Sequence, residues 1–152
     1  MNYPIPLSNL SKTKLKNVVL EYLEKNKLCA LATSLNNKPW SATVFFAYDN
    51  RLHLLFFSRE DTRHCLNINK NPIVSVAINQ DYGTTGMVKG LQFVGQAKKV
   101  SSKDLKRYYK IFRTRYTWAN EFPDHTLYRI TPLEIHYIDQ KLFGHFYRVQ
   151  VV

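Results

Sequence analysis

Apolar residues recur at helical spacing in a segment near the start of the chain. They follow one another at i, i+3, i+4, i+7 and i+8, which is one stripe of a helix with lysines on the opposite side. The stripe consists of Leu15, Val18, Val19, Tyr22 and Leu23. We predict a helix over roughly 12–26, with Ser11 as its N-cap and Asn26 at its end.

Two further segments predict helices. The longer one begins at Ser101, which together with Asp104 has the spacing of a capping box. Its apolar stripe consists of Leu105, Tyr108, Tyr109, Phe112 and Tyr116. A short helix is expected over 61–70, opened by Asp61 or Thr62 and ended near Pro72, because the residue before a proline disfavours the helical conformation.

Runs of β-branched and aromatic residues between the helices predict strands. The runs are 28–33, 40–48, 52–57, 73–78, 91–100 and 127–138, the last interrupted by Pro132. Asp49-Asn50 predicts a tight hairpin, since both residue types tolerate positive φ, and 36–39 and 81–86 are expected to be turns or loops. No repeat or linker divides the chain, so we expect one domain over 1–152. Its fold class is mainly β, with mostly antiparallel strands and flanking helices.

The chain carries a strong positive charge that is unevenly distributed. Its 152 residues include 22 lysines and arginines against 11 acidic residues, a formal net charge of +11. Residues 98–115 contain eight of the basic residues and one acidic residue, Asp104: they are Lys98, Lys99, Lys103, Lys106, Arg107, Lys110, Arg113 and Arg115. Such a segment suits a nucleic acid or a phosphate-bearing ligand. A solvated helix face is the simpler interpretation.

Several classes of site and location are disfavoured by what the sequence lacks. The five histidines do not stand at metal-ligand spacing from one another or from a cysteine, so we predict no metal site. No GxSxG motif of a serine nucleophile is present. Cys29 and Cys65 lie far apart without a CxxC pair, which is typical of free thiols in the cytoplasm.

No apolar run approaches the roughly 20 residues of a membrane span. The first six residues lack the layout of a signal peptide, so we expect a cytoplasmic protein that does not enter a membrane.

The stretch from Phe56 to His64 offers the clearest chemistry. A strand is predicted to end at Ser58, and a helix to begin a few residues later with Thr62, Arg63 and His64 in its first turn. Free backbone N–H groups and the helix dipole favour a phosphate at such a position, and an arginine can contact two phosphate oxygens. An N-capped surface helix with a solvated arginine accounts for the same residues, and the local sequence does not choose between the two.

The order of elements from residue 12 to about 138 resembles that of the FMN-binding split barrels related to pyridoxamine 5'-phosphate oxidase. The hydroxyl and basic pattern of Ser58, Thr62, Arg63 and His64 resembles the phosphate-binding segment of that family. The segments 62–64 and 89–95 look like those of a small uncharacterised bacterial branch of YhbP-like proteins. The resemblance implies a split β-barrel of mostly antiparallel strands with FMN as its cofactor.

The same resemblance implies where the flavin would bind. Its ring would lie in a cleft between two subunits, so a homodimer is expected, and any redox chemistry on an unknown small-molecule substrate would belong to the flavin. The cofactor-binding residues implied are Ala42, Thr43, Phe57, Ser58, Thr62, Arg63, His64 and Gln92. Gln92 as a solvent-facing strand residue is the alternative, and no catalytic residue is identified. The aromatic tail also favours a subunit contact: it contains Tyr137, Phe143, Phe146 and Tyr147.

Two departures from the family pattern keep other functions open. Ser41 and Phe46 stand where the oxidases carry two basic residues that grip the flavin phosphate, and the C-terminal substrate signature is not recognisable in 146–152. Pyridoxamine 5'-phosphate oxidase activity itself is therefore not expected. An FMN-binding flavoprotein, acting as an oxidoreductase of unknown substrate, is the leading hypothesis. A split barrel that binds haem or no cofactor is an alternative. So is a basic nucleic-acid-binding module, although we expect its binding to be weak and non-specific.

Overall fold

The computed structural model describes residue 6 and residues 9–80, 87–145 and 147–152. The helices in these ranges are α1 (Lys12–Lys25), α2 (Arg63–Lys70), α3 (Ser102–Arg115), α4 (Gln140–Phe143) and a 3-10 segment over Thr117–Glu121. The strands are β1 (Leu28–Leu35), β2 (Lys38–Tyr48), β3 (Leu54–Arg59), β4 (Ile73–Gln80), β5 (Lys89–Lys99), β6 (His125–Asp139) and β7 (Val149–Gln150). The predicted order of three helices and six strands is confirmed as α1–α3 and β1–β6, whereas the 3-10 segment, α4 and β7 were not predicted, and β2 begins at Lys38, inside the turn predicted at 36–39. The loop predicted at 81–86 lies outside the described residues.

The strands form one antiparallel sheet that closes on itself. Its order is β3-β2-β1-β4-β5-β6-β7, and β6 also pairs with β3, from Leu54↔Ile130 to Arg59↔His125. This pairing completes a six-stranded barrel, and β7 adds to the other end of β6. The predicted split β-barrel with flanking helices is confirmed.

The barrel interior and the space beneath α3 form two separate cores. Side chains alternate along each strand, so every second residue points into the barrel. Helix α1 packs on the larger core through Val19 and Tyr22, whose hydroxyl donates to the carbonyl of Ile78 at 2.9 Å. Helix α3 covers the outer side of β2 and β3 through Tyr108 and Phe112. None of the helices in the described ranges combines the length and apolar character needed to cross a bilayer.

The connection between β2 and β3 differs from the predicted tight hairpin. The carboxylate of Asp49 accepts hydrogen bonds from two backbone N–H groups of the turn, one of them that of His53 at 3.0 Å. Positive φ falls on Leu52, at 64°, and not on Asn50. Leu52 is buried in the core, and its burial lengthens the turn, so that β3 begins at Leu54 and not at residue 52.

The predicted capping box of α3 is also wrong. The hydroxyl of Ser101 donates to the carboxylate of Asp104 at 2.9 Å and caps no backbone N–H group. At α1, by contrast, the Ser11 hydroxyl accepts from the backbone N–H of Lys14 at 3.2 Å, as predicted. The difference arises because Asp104 is one carbon shorter than the glutamate of a standard capping box.

Pro132 interrupts the pairing of β6 without ending the strand. Val94 pairs with residue 134 and Gly95 with Pro132, so Leu133 is an extra residue that bulges into solvent. A β-bulge accommodates a proline because the register shift removes the need for its N–H group. A Cβ atom at Gly95 would stand 2.7 Å from the side chain of Ile130, so this crowded crossing requires glycine.

The aromatic tail packs largely on its own barrel. Tyr137 and Phe143 are buried, with exposed fractions of 0% and 2%, and their rings are 6.2 Å apart. Tyr147 is exposed, and Phe146 lies outside the described residues. The inference of a subunit contact from this tail is therefore wrong for the two residues that the barrel buries.

Candidate functional site

The first turn of α2 and the end of β3 bring three of the predicted site residues together. Ser58 Oγ lies 2.8 Å from Nε2 of His64 and 3.4 Å from Oγ1 of Thr62, while Thr62 Oγ1 lies 3.2 Å from the same imidazole nitrogen. Arg63 lies between Thr62 and His64 in sequence, on the solvent side. We call Ser58, Thr62, Arg63 and His64 the cradle.

The hydroxyl of Thr62 does not cap the helix. It donates to the carbonyl oxygen of Arg59 at 2.9 Å, and no side chain of the described residues caps the first N–H groups of α2. Because a hydroxyl carries one proton, Thr62 Oγ1 can only accept from its neighbours in the cradle. The first-turn N–H groups of α2 therefore have no side-chain acceptor, which is the condition under which a helix N-terminus binds an anion.

His64 is the buried member of the cradle. Its exposed fraction is 8%, and its ring lies against Phe56 with centroids 6.0 Å apart. Burial lowers the pKa of the imidazole below its ordinary value of 6.5, because the charged form loses hydration. A neutral His64 contributes hydrogen bonding and shape to the cradle near pH 7, and Arg63 supplies its positive charge.

Arg63 is held by an aromatic ring. Its guanidinium carbon stands 4.4 Å from the ring centroid of Trp40 in β2, within cation–π distance. The helix is fixed to the barrel one turn later, where the side-chain amide of Asn67 donates to the hydroxyl of Thr33 at 3.0 Å. Thr33 pairs with Trp40 in the sheet, so residues 63 and 67, which share a helix face, dock onto neighbouring strands.

The neighbouring guanidinium of Arg59 is already occupied. Its Nε atom donates to the carboxylate of Asp61 at 3.1 Å, and Asp124 lies 3.7 Å away on the other side. Arg63, by contrast, forms no ion pair with any carboxylate of the described residues. Arg63 is thus the cation of this segment that remains available to an anion.

The other predicted residues are distributed along β2 and β3. Ala42 packs against the barrel core, whereas Thr43 is exposed on the outer side of β2. The ring of Phe57 is half-buried beneath α3, 5.5 Å from Phe112 between centroids. Only the backbone of Phe57, where it meets Ser58, is next to the cradle.

The two positions that depart from the family pattern have opposite exposures. Ser41 is exposed on β2, and Phe46 is completely buried in the core. A side chain at 46 points into the barrel and cannot reach an outer-surface ligand. Positions 41 and 46 therefore supply no second cation that could act together with Arg63 on an anion.

Within one chain, Gln92 lies far from Thr43 and from the cradle. Thr43, Ala30, Ala77 and Gln92 form one row across four neighbouring strands. Three strand spacings of about 4.8 Å lie between Thr43 and Gln92, so the two residues are roughly 14 Å apart along the sheet. Gln92 is exposed beside His136 in a depression of about 420 Å³, so one chain does not bring Gln92 to the cradle.

Sequence reasoning missed Trp40 as a partner of the cradle. The β1–β2 register and the docking of α2 bring it beneath Arg63, although 23 positions separate the two residues. No local spacing signals such a pair, since neither the strand period nor the helix period relates them. No group of three or more metal-ligating side chains occurs among the described residues.

The chain matches the sequence model of the family described as pyridoxamine 5'-phosphate oxidase over residues 15–139. It is also similar to a UPF0306 protein of Klebsiella pneumoniae, at 26% identity over 125 residues that cover 81% of this chain and 84% of the relative. The UPF0306 protein YhbP of Escherichia coli O157:H7 is 22% identical over 128 residues, 83% of this chain and 86% of that protein. These relatives confirm the likeness to the YhbP-like branch.

Solved structures share the fold at low sequence identity. A FAD-binding protein from Mesorhizobium loti matches with a TM-score of 0.64 at 18% identity, covering 76% of this chain and 88% of its own. The haem storage protein HutZ from Vibrio cholerae matches with a TM-score of 0.70 at 19% identity, covering 86% of this chain and 99% of its own. A haem-binding protein from Mycobacterium smegmatis matches with a TM-score of 0.76 at 13% identity, covering 93% of this chain and 58% of its own. The barrel, the α2 segment and the family match together establish that this chain belongs to the pyridoxamine 5'-phosphate oxidase family.

Proposed function

We propose that this protein is an FMN-binding flavoprotein and that the cradle holds the flavin phosphate. The observation that carries the proposal is the uncapped first turn of α2, beside an arginine with no carboxylate partner among the described residues. Backbone N–H groups, the helix dipole and a guanidinium are the donors that bind phosphate in proteins. A solvated surface helix explains Arg63, but it does not explain why Thr62 turns its hydroxyl away from the helix end.

Each residue of the cradle has a distinct role in this proposal. Arg63 donates two hydrogen bonds to phosphate oxygens, and Trp40 limits the directions in which its guanidinium points. Ser58 and Thr62 line the site with hydroxyl groups, and neutral His64 holds both in place. Bound FMN would supply redox chemistry, and the chain would position the ring against the backbone of Ala42–Thr43 and Phe57–Ser58. This supports assignment as an oxidoreductase of an unknown small molecule.

The proposal includes a homodimer, because one chain leaves the flavin site incomplete. Gln92 lies roughly 14 Å from Thr43 across three strand spacings, so it can reach a ring at the cradle only from a second copy. The outer face of β1 and β4 between these residues carries small or uncharged side chains. They are Leu28, Ala30, Ala32, Ser34, Ile73, Ser75, Ala77 and Asn79. A surface of small, uncharged side chains is suited to burial against an identical surface.

Haem binding is the second candidate function. Neither Ser41 nor Phe46 contributes a cation for a flavin phosphate, and His136 offers a half-buried imidazole beside Gln92 on the same face, in contact with the Glu134 carboxylate. Imidazole is a common axial ligand of haem iron. Two proteins that share the fold, HutZ and the Mycobacterium smegmatis protein, are described as haem proteins.

A cytoplasmic location remains part of either proposal and is supported by the free, buried thiols of Cys29 and Cys65.

The absorption spectrum of the purified protein separates the two candidates. Flavin gives bands near those of free FMN, whereas haem gives a Soret band. A titration then compares FMN with riboflavin, which lacks the phosphate. We expect FMN to bind far more tightly, and Arg63→Ala to weaken FMN about ten- to a hundredfold, as expected for loss of a charged hydrogen bond worth about 1.5–3 kcal/mol.

The matched control is Lys70→Ala, which removes a positive charge from the opposite end of α2. It should leave FMN affinity within about twofold, because an exposed charge a full helix away acts weakly in salt. Equal affinity for FMN and riboflavin, or the same affinity in Arg63→Ala as in wild type, would contradict the cradle.

A further inference from the structure

A second cavity lies between α3 and the segment that leads into β6, away from the cradle. Its volume is about 680 Å³, within the range of sites for small organic ligands. Its walls come from α3, the 3-10 segment and the residues after it, and the ends of β3, β5 and β6. The lining includes Phe57, Lys99, Ser102, Leu105, Lys106, Tyr109, Asn120, Phe122 and His125. We call this cavity the α3 cleft.

Aromatic rings form much of the wall of the α3 cleft. Phe57 lies 6.1 Å from Tyr109 and 5.3 Å from His125 between ring centroids, and Phe122 lies 5.0 Å from His125. Tyr109 is held by its hydroxyl, which donates to the side-chain carbonyl of Asn120 at 3.2 Å. A linked set of rings at these distances can receive a planar ring by stacking or by edge contacts.

The polar groups of the α3 cleft favour an anion. Its lining includes two lysines and no carboxylate. Lys99 is paired with Glu60, outside the lining, whereas Lys106 forms no ion pair with any carboxylate of the described residues. The hydroxyl of Ser102, on the same side of α3, donates no hydrogen bond to another described residue. An acidic group on a bound ring would find both a cation and a hydroxyl donor there.

We propose that the α3 cleft binds a planar aromatic anion, such as a carboxylate on one or two fused rings. The ring would lie among Phe57, Tyr109 and Phe122, and its acidic group would face Lys106. The site is independent of the proposed flavin site. The ring of Phe57 points toward α3, while the cradle uses only its backbone. Binding of such an anion in the α3 cleft is therefore expected whether or not FMN binds.

Calorimetric titration with 2-naphthoate and its neutral analogue 2-naphthamide tests the proposal. We expect 2-naphthoate to bind, and 2-naphthamide to bind at least about threefold more weakly, because it lacks the charge. Lys106→Gln should weaken 2-naphthoate about three- to tenfold, as for a partly exposed ion pair, and leave 2-naphthamide unchanged. Lys103→Gln is the matched control, since it removes the same charge from the same helix outside the cleft and should have little effect.

Leu105→Trp supplies a second variant that fills the cleft without replacing a core residue, because Leu105 is 44% exposed. It should abolish binding of both naphthalene probes while FMN titration and the midpoint of thermal unfolding stay as in wild type. Three results would overturn the proposal: no binding of 2-naphthoate at millimolar concentration, equal affinity for the two probes, or unchanged binding in Lys106→Gln and Leu105→Trp. Binding that appears only when the protein is diluted to monomers would assign the cleft to a subunit contact and also overturn it.

Discussion

His64 is buried against Phe56, and its hydrogen bonds go to two hydroxyl groups and not to a carboxylate. Desolvation lowers the pKa of the folded-state imidazole below 6.5, the ordinary value that the unfolded chain retains. Between these two pKa values the unfolded chain binds more protons than the folded one. The free energy of unfolding must therefore fall as the pH drops below about 6.5.

Replacing His64 with glutamine should flatten this pH dependence. Glutamine keeps a side-chain amide near Ser58 and Thr62 but does not titrate. We expect wild type to lose stability in urea between pH 7 and pH 5 more steeply than His64→Gln, even if the variant is less stable at pH 7. His136→Gln is the control, since that imidazole is 30% exposed at the barrel surface, beside Glu134, and is not enclosed as His64 is; it should retain the wild-type slope. Parallel curves for wild type and His64→Gln would contradict the role of burial.

At the scale of elements, Arg115 joins the ends of two helices. Its guanidinium, at the C-terminus of α3, donates to the carbonyl oxygens of Leu23, Glu24 and Asn26 at 2.9, 3.0 and 2.6 Å. These carbonyls belong to the C-terminal end of α1, where a cation also interacts favourably with the helix dipole. Its side chain is only 12% exposed. The interpretation of the 98–115 segment as a solvated face is therefore wrong for Arg115.

Arg115→Ala should lower the free energy of unfolding by about 1–3 kcal/mol, because it leaves the partly buried carbonyl oxygens of Leu23 and Asn26 without donors. Arg115→Lys should restore only part of this loss, since Nη2 alone bonds the three carbonyls and one ammonium group cannot also keep the bonds of Nη1 to the Glu24 carboxylate and of Nε to the Tyr116 hydroxyl. Arg113→Ala, two positions earlier and exposed, should change stability by less than about 0.5 kcal/mol. Denaturant unfolding measures all three. If Arg113→Ala and Arg115→Ala cost the same, Arg115 does not join the helices.

At the scale of the whole molecule, the proposed dimer predicts the effect of a charge on the outer face of β4. Ala77 lies in the row between Thr43 and Gln92. Ala77→Arg should convert a dimer to monomers in sedimentation velocity at micromolar concentration and weaken FMN binding as well, because burying an unpaired charge in an interface is costly. Asn17→Arg, on the exposed side of α1, adds the same charge elsewhere and should leave the dimer intact. Wild type that sediments as a monomer would refute the dimer directly.

The net charge of +11 predicts attraction to nucleic acid that depends on salt. Most of the basic residues of α3 are exposed, so they can contact phosphates, but no base-reading element accompanies them in the described part of the chain. We expect binding to mixed-sequence DNA at 20 mM salt that fades by about 150 mM, since counterion release drives it. Anisotropy with two unrelated duplexes measures this. A sequence preference that persists at physiological salt would contradict a purely electrostatic interaction.

The sequence by itself determined the order of α1–α3 and β1–β6, because each followed from local periodicity, composition or capping and breaking residues, whereas α4, β7 and the 3-10 segment were not predicted. The α1 stripe, the N-cap at Ser11 and the β-branched and aromatic runs of the strands are short-range features that adjacent residues encode. The short helix after Ser58 was predictable for the same reason, and so was the presence of a cation, Arg63, in its first turn. A family resemblance added the closed barrel, which local patterns alone do not specify.

Tertiary structure decided everything that depends on residues distant in sequence. The ring of Trp40 beneath Arg63 and the carbonyls of α1 around Arg115 required two segments to pack in one orientation. The same is true of Leu52, whose burial reshaped a turn that its own residues indicated would be tight. Local spacing constrains neighbours within about one helical turn. Burial and pairing across the barrel act between residues far apart, so only the fold reveals which polar groups are neutral, paired or free to bind.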